Sequence, residues 1–338
     1  MMAAWRNITS FKTLILQRVN PFRITGKPSY AALLAFLALP LAAAPEVLVM
    51  LGAPGTDVYE KKYATWVKSW ESACSKGGAE YTVISKSADG KQPRELLQAW
   101  ISGRNSGDAP LWLVFIGHGT FDGKNAKFNL QGPDITASEL AGWLKPVERP
   151  IVVLNTASSS APFISALSGE NRVVVTSTRS GNEQNFARFG EFFSQNIGSI
   201  QADLDKDGQT SLLEAFIVTS RQVADFYKKE GRLATEHPLI DDNGDRLGTP
   251  PDWFRGIRPI KKPAEGSPDG YRAHQFHLVL GDLEKLIPEN LRRQRDELEM
   301  EVYRLRDRKA DLPQVEYYRQ LEGLLRKIGK IYEQAESP

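Results

Sequence analysis

Two stretches decide the fold: Ala109-Pro110-Leu111-Trp112-Leu113-Val114-Phe115-Ile116-Gly117-His118-Gly119-Thr120 and Pro150-Ile151-Val152-Val153-Leu154-Asn155-Thr156-Ala157-Ser158-Ser159-Ser160. Each begins as a continuous apolar run, which reads as a strand buried on both faces. Each then breaks into small polar residues. The first break holds a histidine between two glycines; the second, about forty residues later, is an elbow of threonine, alanine and serines. Glycines beside His118 let the chain turn sharply and approach another group closely.

The same alternation continues outward. Val47-Leu48-Val49-Met50-Leu51 is a short apolar run ending in Gly52-Ala53-Pro54-Gly55. Tyr59, Tyr63, Trp66, Val67 and Trp70 then recur at helical spacing, and Tyr81-Thr82-Val83-Ile84 is rich in strand formers. Leu96, Leu97, Trp100 and Ile101 mark a second helix closed by Gly103 and Gly107. Lys127-Phe128-Asn129-Leu130 alternates like part of a small hairpin. Thr136 and Glu139 make a capping box before Leu140, Trp143 and Leu144. After the Ile151 strand come a short helix around Phe163-Ile164 and a last core strand at Val173-Val174-Val175. Buried strands separated by amphipathic helices predict an α/β fold, a mostly parallel sheet sandwiched by helices. Sites in such sheets lie beyond the carboxyl ends of strands, where both breaks fall.

From about Pro45 to Glu236 the order of elements, the Gly117-His118-Gly119 loop and the Asn155-to-Ser159 elbow resemble the caspase–legumain peptidases. That resemblance implies a caspase-like fold and a Cys–His hydrolase site, with thiolate and imidazole on neighbouring strand ends. It places the nucleophile at position 157, which is alanine, and a trailing glycine at position 160, which is serine. Alanine carries no nucleophile, so the family's ordinary mechanism is excluded there. Ser158 or Ser159 paired with His118 is the alternative hydrolase. The expected cleft comprises Gly117, Gly119, Asn155 and Arg179, the last on the Ser177-to-Glu183 loop that would wall the same cleft. The leading reading is a non-catalytic pseudo-peptidase that keeps the cleft for a peptide or protein ligand.

Asp203-Leu204-Asp205-Lys206-Asp207-Gly208-Gln209-Thr210-Ser211-Leu212-Leu213-Glu214 carries the spacing of an EF-hand loop. Asp203, Asp205, Asp207 and Glu214 supply hard oxygen ligands, and Gln209 contributes its carbonyl. Gly208 allows the bend. The expected ion is calcium, in a structural role, with flanking helices around Phe189–Phe193 and Phe216–Val218. Asp241-Asp242-Asn243-Gly244-Asp245, with Asp252 beyond, has partial metal spacing, but Arg246 stands where a glycine is needed, so it reads as a polar turn. His274 and His277 lack matching carboxylates or thiols for a zinc site. Gly52-Ala53-Pro54-Gly55 lacks the Lys-Ser/Thr of a phosphate loop.

Charge is balanced, with 43 Lys plus Arg against 41 Asp plus Glu, which argues against nucleic acid as a partner. Arg6, Lys12, Arg18, Arg23 and Lys27, free of acids, precede an apolar run from Tyr30 through Ala44. That run is about fifteen residues, short of the roughly 20 that span a bilayer. Residues 1–44 therefore read as a signal for export to the periplasm or medium, with a retained membrane anchor as the alternative. Cys74 is the single cysteine, so no internal disulfide forms. Beyond the α/β domain at 45–275, residues 276–338 change character. Leu291, Leu298, Val302 and Leu305, then Tyr318, Leu321, Leu325, Ile328 and Tyr332 after Asp311-Leu312-Pro313, predict an antiparallel helical hairpin of coiled-coil type. Self-association through that hairpin, or a structural envelope role built on it, is a further alternative function.

Overall fold

The computed structural model describes residues 44–336; the expected signal or anchor lies outside them except for its last residue. No helix of the described residues is long and apolar enough to cross a membrane.

The centre is a six-stranded sheet. Strand β1 (Glu46–Leu51) lies between β2 (Glu80–Ile84) and β3 (Leu111–Ile116). Three short strands follow: β4 (Gly119–Phe121), β5 (Ala126–Phe128) and β6 (Ile135–Thr136). They form a separate antiparallel sheet immediately beyond the histidine. The main sheet then continues through β7 (Ile151–Asn155), β8 (Arg172–Thr176) and β9 (Leu239–Asp241) in the order β2-β1-β3-β7-β8-β9. All neighbours are parallel except β8 and β9. This is the expected α/β class, a mostly parallel sheet between helices.

Burial on both faces explains the unbroken apolar strands. Successive side chains of a strand point to opposite faces. Val47, Val49, Trp112, Val114, Val152 and Leu154 therefore face one core, and Leu48, Met50, Leu113, Phe115 and Val153 face the other. The first core is covered by α1 (Asp57–Gly77) through Trp66 and Trp70, and by Phe193 and Phe216 of two later helices. The second is covered by α2 (Pro93–Ser102), α3 (Ala137–Leu144) and α4 (Pro162–Leu167). Thr136 and Glu139 form the expected capping box. Cys74 is a free, buried thiol in α1, and burial pushes it up to about 12.

The edge strand β9 corrects the polar-turn reading at its first residue. Asp241 pairs with Val174 in the sheet, and the turn begins after it. Asp242 and Asp269 are buried together. Asp269 accepts from the amides of Asp242 and Asn243, and Asp242 accepts from those of Gly270 and Ala273. Burial raises both carboxyls, and at Asp269 the charge of Asp242 raises it further. Asp252 lies apart, on an exposed pair with Lys261.

Helices α5 (Phe189–Asn196) and α6 (Leu212–Lys229) flank the acidic loop. After a short helix, α7 (Asp282–Lys285), the chain ends in the hairpin of α8 (Glu289–Asp307) and α9 (Gln314–Glu336). Val302, Leu305, Tyr317, Leu321, Ile328 and Tyr332 give it a small core of its own. Tyr271 stacks on Tyr303 with ring centroids 4.4 Å apart and donates to Asp307, which ties the hairpin to the body.

Candidate functional site

His118 follows β3 because the apolar register ends at Ile116 and Gly117 permits a close turn. A Cβ on Gly117 would meet the Phe128 ring at 2.9 Å. The imidazole sits among Tyr59, Tyr63 and Phe186, with ring centroids 4.8, 5.8 and 6.2 Å away. Its Nε2 lies 3.3 Å from the Pro54 carbonyl oxygen. Partial burial among the rings lowers its pKa from the ordinary 6.5, opposed by that carbonyl. A neutral imidazole therefore sits there at pH 7, donating to Pro54.

The elbow begins at Asn155, whose Oδ1 accepts from the Ala157 amide at 3.1 Å. Thr156 donates to the Phe115 carbonyl at 2.7 Å. Ser158 is locked onto the histidine loop: its Oγ donates to the Gly119 carbonyl at 3.0 Å and accepts from the Gly119 amide at 3.2 Å. Gly119 is required there, since a Cβ would meet the Ser158 carbonyl oxygen at 2.2 Å. The structure thus brings the two breaks together, but through backbone. The proton of Ser158 goes to Gly119, which corrects the expected Ser158–His118 pairing.

Ser159 differs. It adopts φ = 54°, a left-handed conformation uncommon for a side-chain-bearing residue, and its hydroxyl is buried without a hydrogen-bond partner. The Asn155 Nδ2 is buried unpartnered as well. All five residues from Thr156 to Ser160 are at most 3% exposed. Their cover is the loop after β8. Ser177 donates to the Ala157 carbonyl at 2.7 Å, Ser160 meets Thr178 at 3.1 Å, and the Ser159 amide donates to the Glu183 carbonyl at 2.8 Å. Arg179, expected to line the cleft, is exposed and paired with Glu183 at 3.3 Å. Sequence reasoning missed Glu183 itself, whose carboxylate also accepts from the His237 amide at 3.2 Å and faces His237 Nδ1 at 2.5 Å. A lone glutamate in a polar loop gives no sequence signal for such a role.

The loop at 203–214 follows the opposite plan. Asp203, Asp205 and Glu214 offer carboxylate oxygens within 4.8 Å of one another. Ligands about 2.4 Å from a common cation stand at most about 4.8 Å apart, so three hard oxygens at this spacing could hold a metal ion. Gly208 takes φ = 92° at the bend, and Lys206 takes φ = 65° before it. Asp207 turns toward Gln209, accepting from its amide at 3.1 Å and its side chain at 3.3 Å. The Gln209 Oε1 accepts from the Gly281 amide at 3.2 Å. Glu214 is fully buried and doubles as the third residue of a capping box with Ser211, opening α6. It also accepts from the Leu204 and Asp205 amides at 2.7 and 3.1 Å. Burial raises its carboxyl against these hydrogen bonds.

His274, set aside in the sequence, packs against this loop. Its Nε2 lies 3.4 Å from Asp205 and its Nδ1 3.2 Å from the Ser211 hydroxyl. His277 faces the Gln275 carbonyl instead.

The fold and its paired strand-end turns define a mostly parallel α/β domain with a histidine loop against a covered elbow. No protein-family model matches the chain, and no curated protein matches it. Among solved structures it is similar to the Drosophila initiator caspase Dronc, at 16% identity over 60% of this chain and 81% of that one, with a TM-score of 0.40. It is also similar to caspase-1 from Spodoptera frugiperda, at 11% identity over 59% of this chain and 86% of that one, with a TM-score of 0.39.

Proposed function

We propose that the chain is an exported, non-catalytic caspase-like domain that binds an extended peptide or protein segment and carries a structural calcium ion. The observation that carries the non-catalytic part is the pairing of the two turns. Position 157 is alanine, the Ser158 hydroxyl is spent on Gly119, and the His118 Nε2 is spent on Pro54. A hydrolase needs its base within hydrogen-bond reach of the nucleophile. The donors and aromatic rings around the elbow remain suited to peptide carbonyls and apolar side chains.

For calcium, support comes from the complete loop pattern and the three converging carboxylates. The ion would be held by Asp203, Asp205 and Glu214, with Asp207 and the Gln209 carbonyl completing the set. It would offset the mutual repulsion of carboxylates packed between α5 and α6. Ser159 favours one competing reading, a serine hydrolase, because of its left-handed backbone and partnerless hydroxyl.

The test is affinity selection from a random peptide library on calcium-loaded protein. Enriched sequences that lose binding on Phe186→Ala support the binding role. A library with nothing enriched above background contradicts it.

A further inference from the structure

The cover over the elbow is itself built as a moving part. Residues 179–186 project from two fixed ends. At one end Ser177 and Thr178 bond to Ala157, Ser160 and Ala161. At the other, the amides of Arg188 and Phe189 donate to the buried Glu236 carboxylate at 2.8–2.9 Å. Between these anchors the segment touches the elbow at few points. Gly181 lies against Phe121, where a Cβ would meet the ring at 2.5 Å. Phe186 packs on Tyr59 and His118. The Glu183 carbonyl takes the Ser159 amide.

Besides the Phe186 ring, which packs on Tyr59, Tyr63, Trp66 and His118, what holds this segment down is the Glu183 side chain. It gathers the Arg179 amide at 2.9 Å, the Arg179 guanidinium at 3.3 Å, and the His237 amide and ring. His237 lies just before the edge strand β9, outside the segment. Glu183 is therefore the side chain that fastens the segment to the sheet. Where the Ser159 amide meets its Glu183 carbonyl, the Ser159 hydroxyl is buried with no partner and Ser159 holds a left-handed backbone; the Asn155 amide nitrogen in the same elbow is buried unpartnered too. Buried polar groups without partners are destabilising, and so is such a backbone, so the closed form is poised against opening.

We propose that residues 179–186 are a lid latched by Glu183 over the elbow. Opening it presents three hydrogen-bond donors, the Ser159 amide, the Ser159 hydroxyl and the Asn155 Nδ2, to the carbonyl oxygens of an extended peptide. The choice of peptide rests on the binding role proposed above; the latch does not.

Ser159→Cys places a reporter thiol at a position that is 1% exposed and whose amide donates to the Glu183 carbonyl of the lid. Cys74, fully buried with its thiol pushed up to about 12, is a built-in control for global unfolding. Alkylation with iodoacetamide is followed by mass spectrometry in Ser159→Cys protein with and without Glu183→Ala. The expected result is at least tenfold faster modification at position 159 once the latch is cut, with Cys74 unmodified. Equal rates at position 159 overturn the lid. Should the introduced thiol disturb folding, hydrogen exchange of residues 155–161 in Glu183→Ala protein with the native elbow reads the same motion. Faster exchange there with α1 unchanged supports the lid, and unchanged exchange overturns it. Peptide-library binding separates the two ideas. Accelerated labelling with no peptide bound by either protein keeps the lid and ends the peptide reading. Equal peptide affinity with unaccelerated labelling does the reverse.

Discussion

The elbow at 155–160 and the loop at 203–214 are both turns between buried elements, and they spend their polar groups in opposite ways. At the elbow three side chains turn inward to backbone: Asn155 to Ala157, Thr156 to Phe115, Ser158 to Gly119. None of its residues carries a charge. In the loop, three carboxylates converge within 4.8 Å although two of them are almost wholly buried. Burying like charges together is costly unless something offsets them. The difference teaches where chemistry survives. The elbow ties its Thr156, Ser158 and Ser160 hydroxyls to neighbouring backbone and side chains; the loop gathers carboxylate oxygens at one point.

The largest effect expected from this contrast is at the loop. Calcium at a thousandfold excess over its Kd should stabilise the folded chain by about 4 kcal/mol, and a chelator should remove that gain. Glu214→Gln should make melting insensitive to both. Calorimetric traces identical with calcium and with chelator would break the comparison by leaving the carboxylates without a counter-charge. Next comes Gly119→Ala, whose added carbon meets backbone oxygen at 2.2 Å and should cost about 3 kcal/mol in denaturant unfolding. A neutral result there would show that the two turns are not locked together. Ser158→Ala leaves the Gly119 amide and carbonyl without their hydroxyl partner, an expected loss of about 1–3 kcal/mol.

The last effect is a pH dependence at the lid's far anchor. Burial raises the Glu236 carboxyl from 4.5 to about 7. The folded chain therefore binds more protons than the unfolded chain between those values, and the contribution of Glu236 to stability falls as pH rises from 4.5 to about 7. Glu236→Gln should flatten that window, read as melting temperature against pH. A profile unchanged by the substitution would show that another group controls it.

Much of this was legible in the sequence because it rests on local pattern. Unbroken apolar runs predict strands buried on both faces, and the strand-end rule places His118 and the elbow near each other. The loop's carboxylates lie within one stretch, 203–214, so spacing alone singles them out. What escaped depends on partners distant in the chain. Leu239–Asp241 is too short to read as a strand before β8 lies beside it. The direction of the Ser158 hydroxyl depends on Gly119, 39 residues earlier. Glu183 finds His237 across 54 residues, and His274 reaches Ser211 across 63. Such pairings follow from tertiary packing, and no periodicity announces them.

The most direct test of the central claim is cleavage of a peptide library, read by mass spectrometry, using calcium-loaded protein beside His118→Ala and Ser159→Ala controls. The account predicts no products in any sample. Cleavage by the native chain that disappears in either variant would contradict it and make the covered elbow the centre of a serine hydrolase.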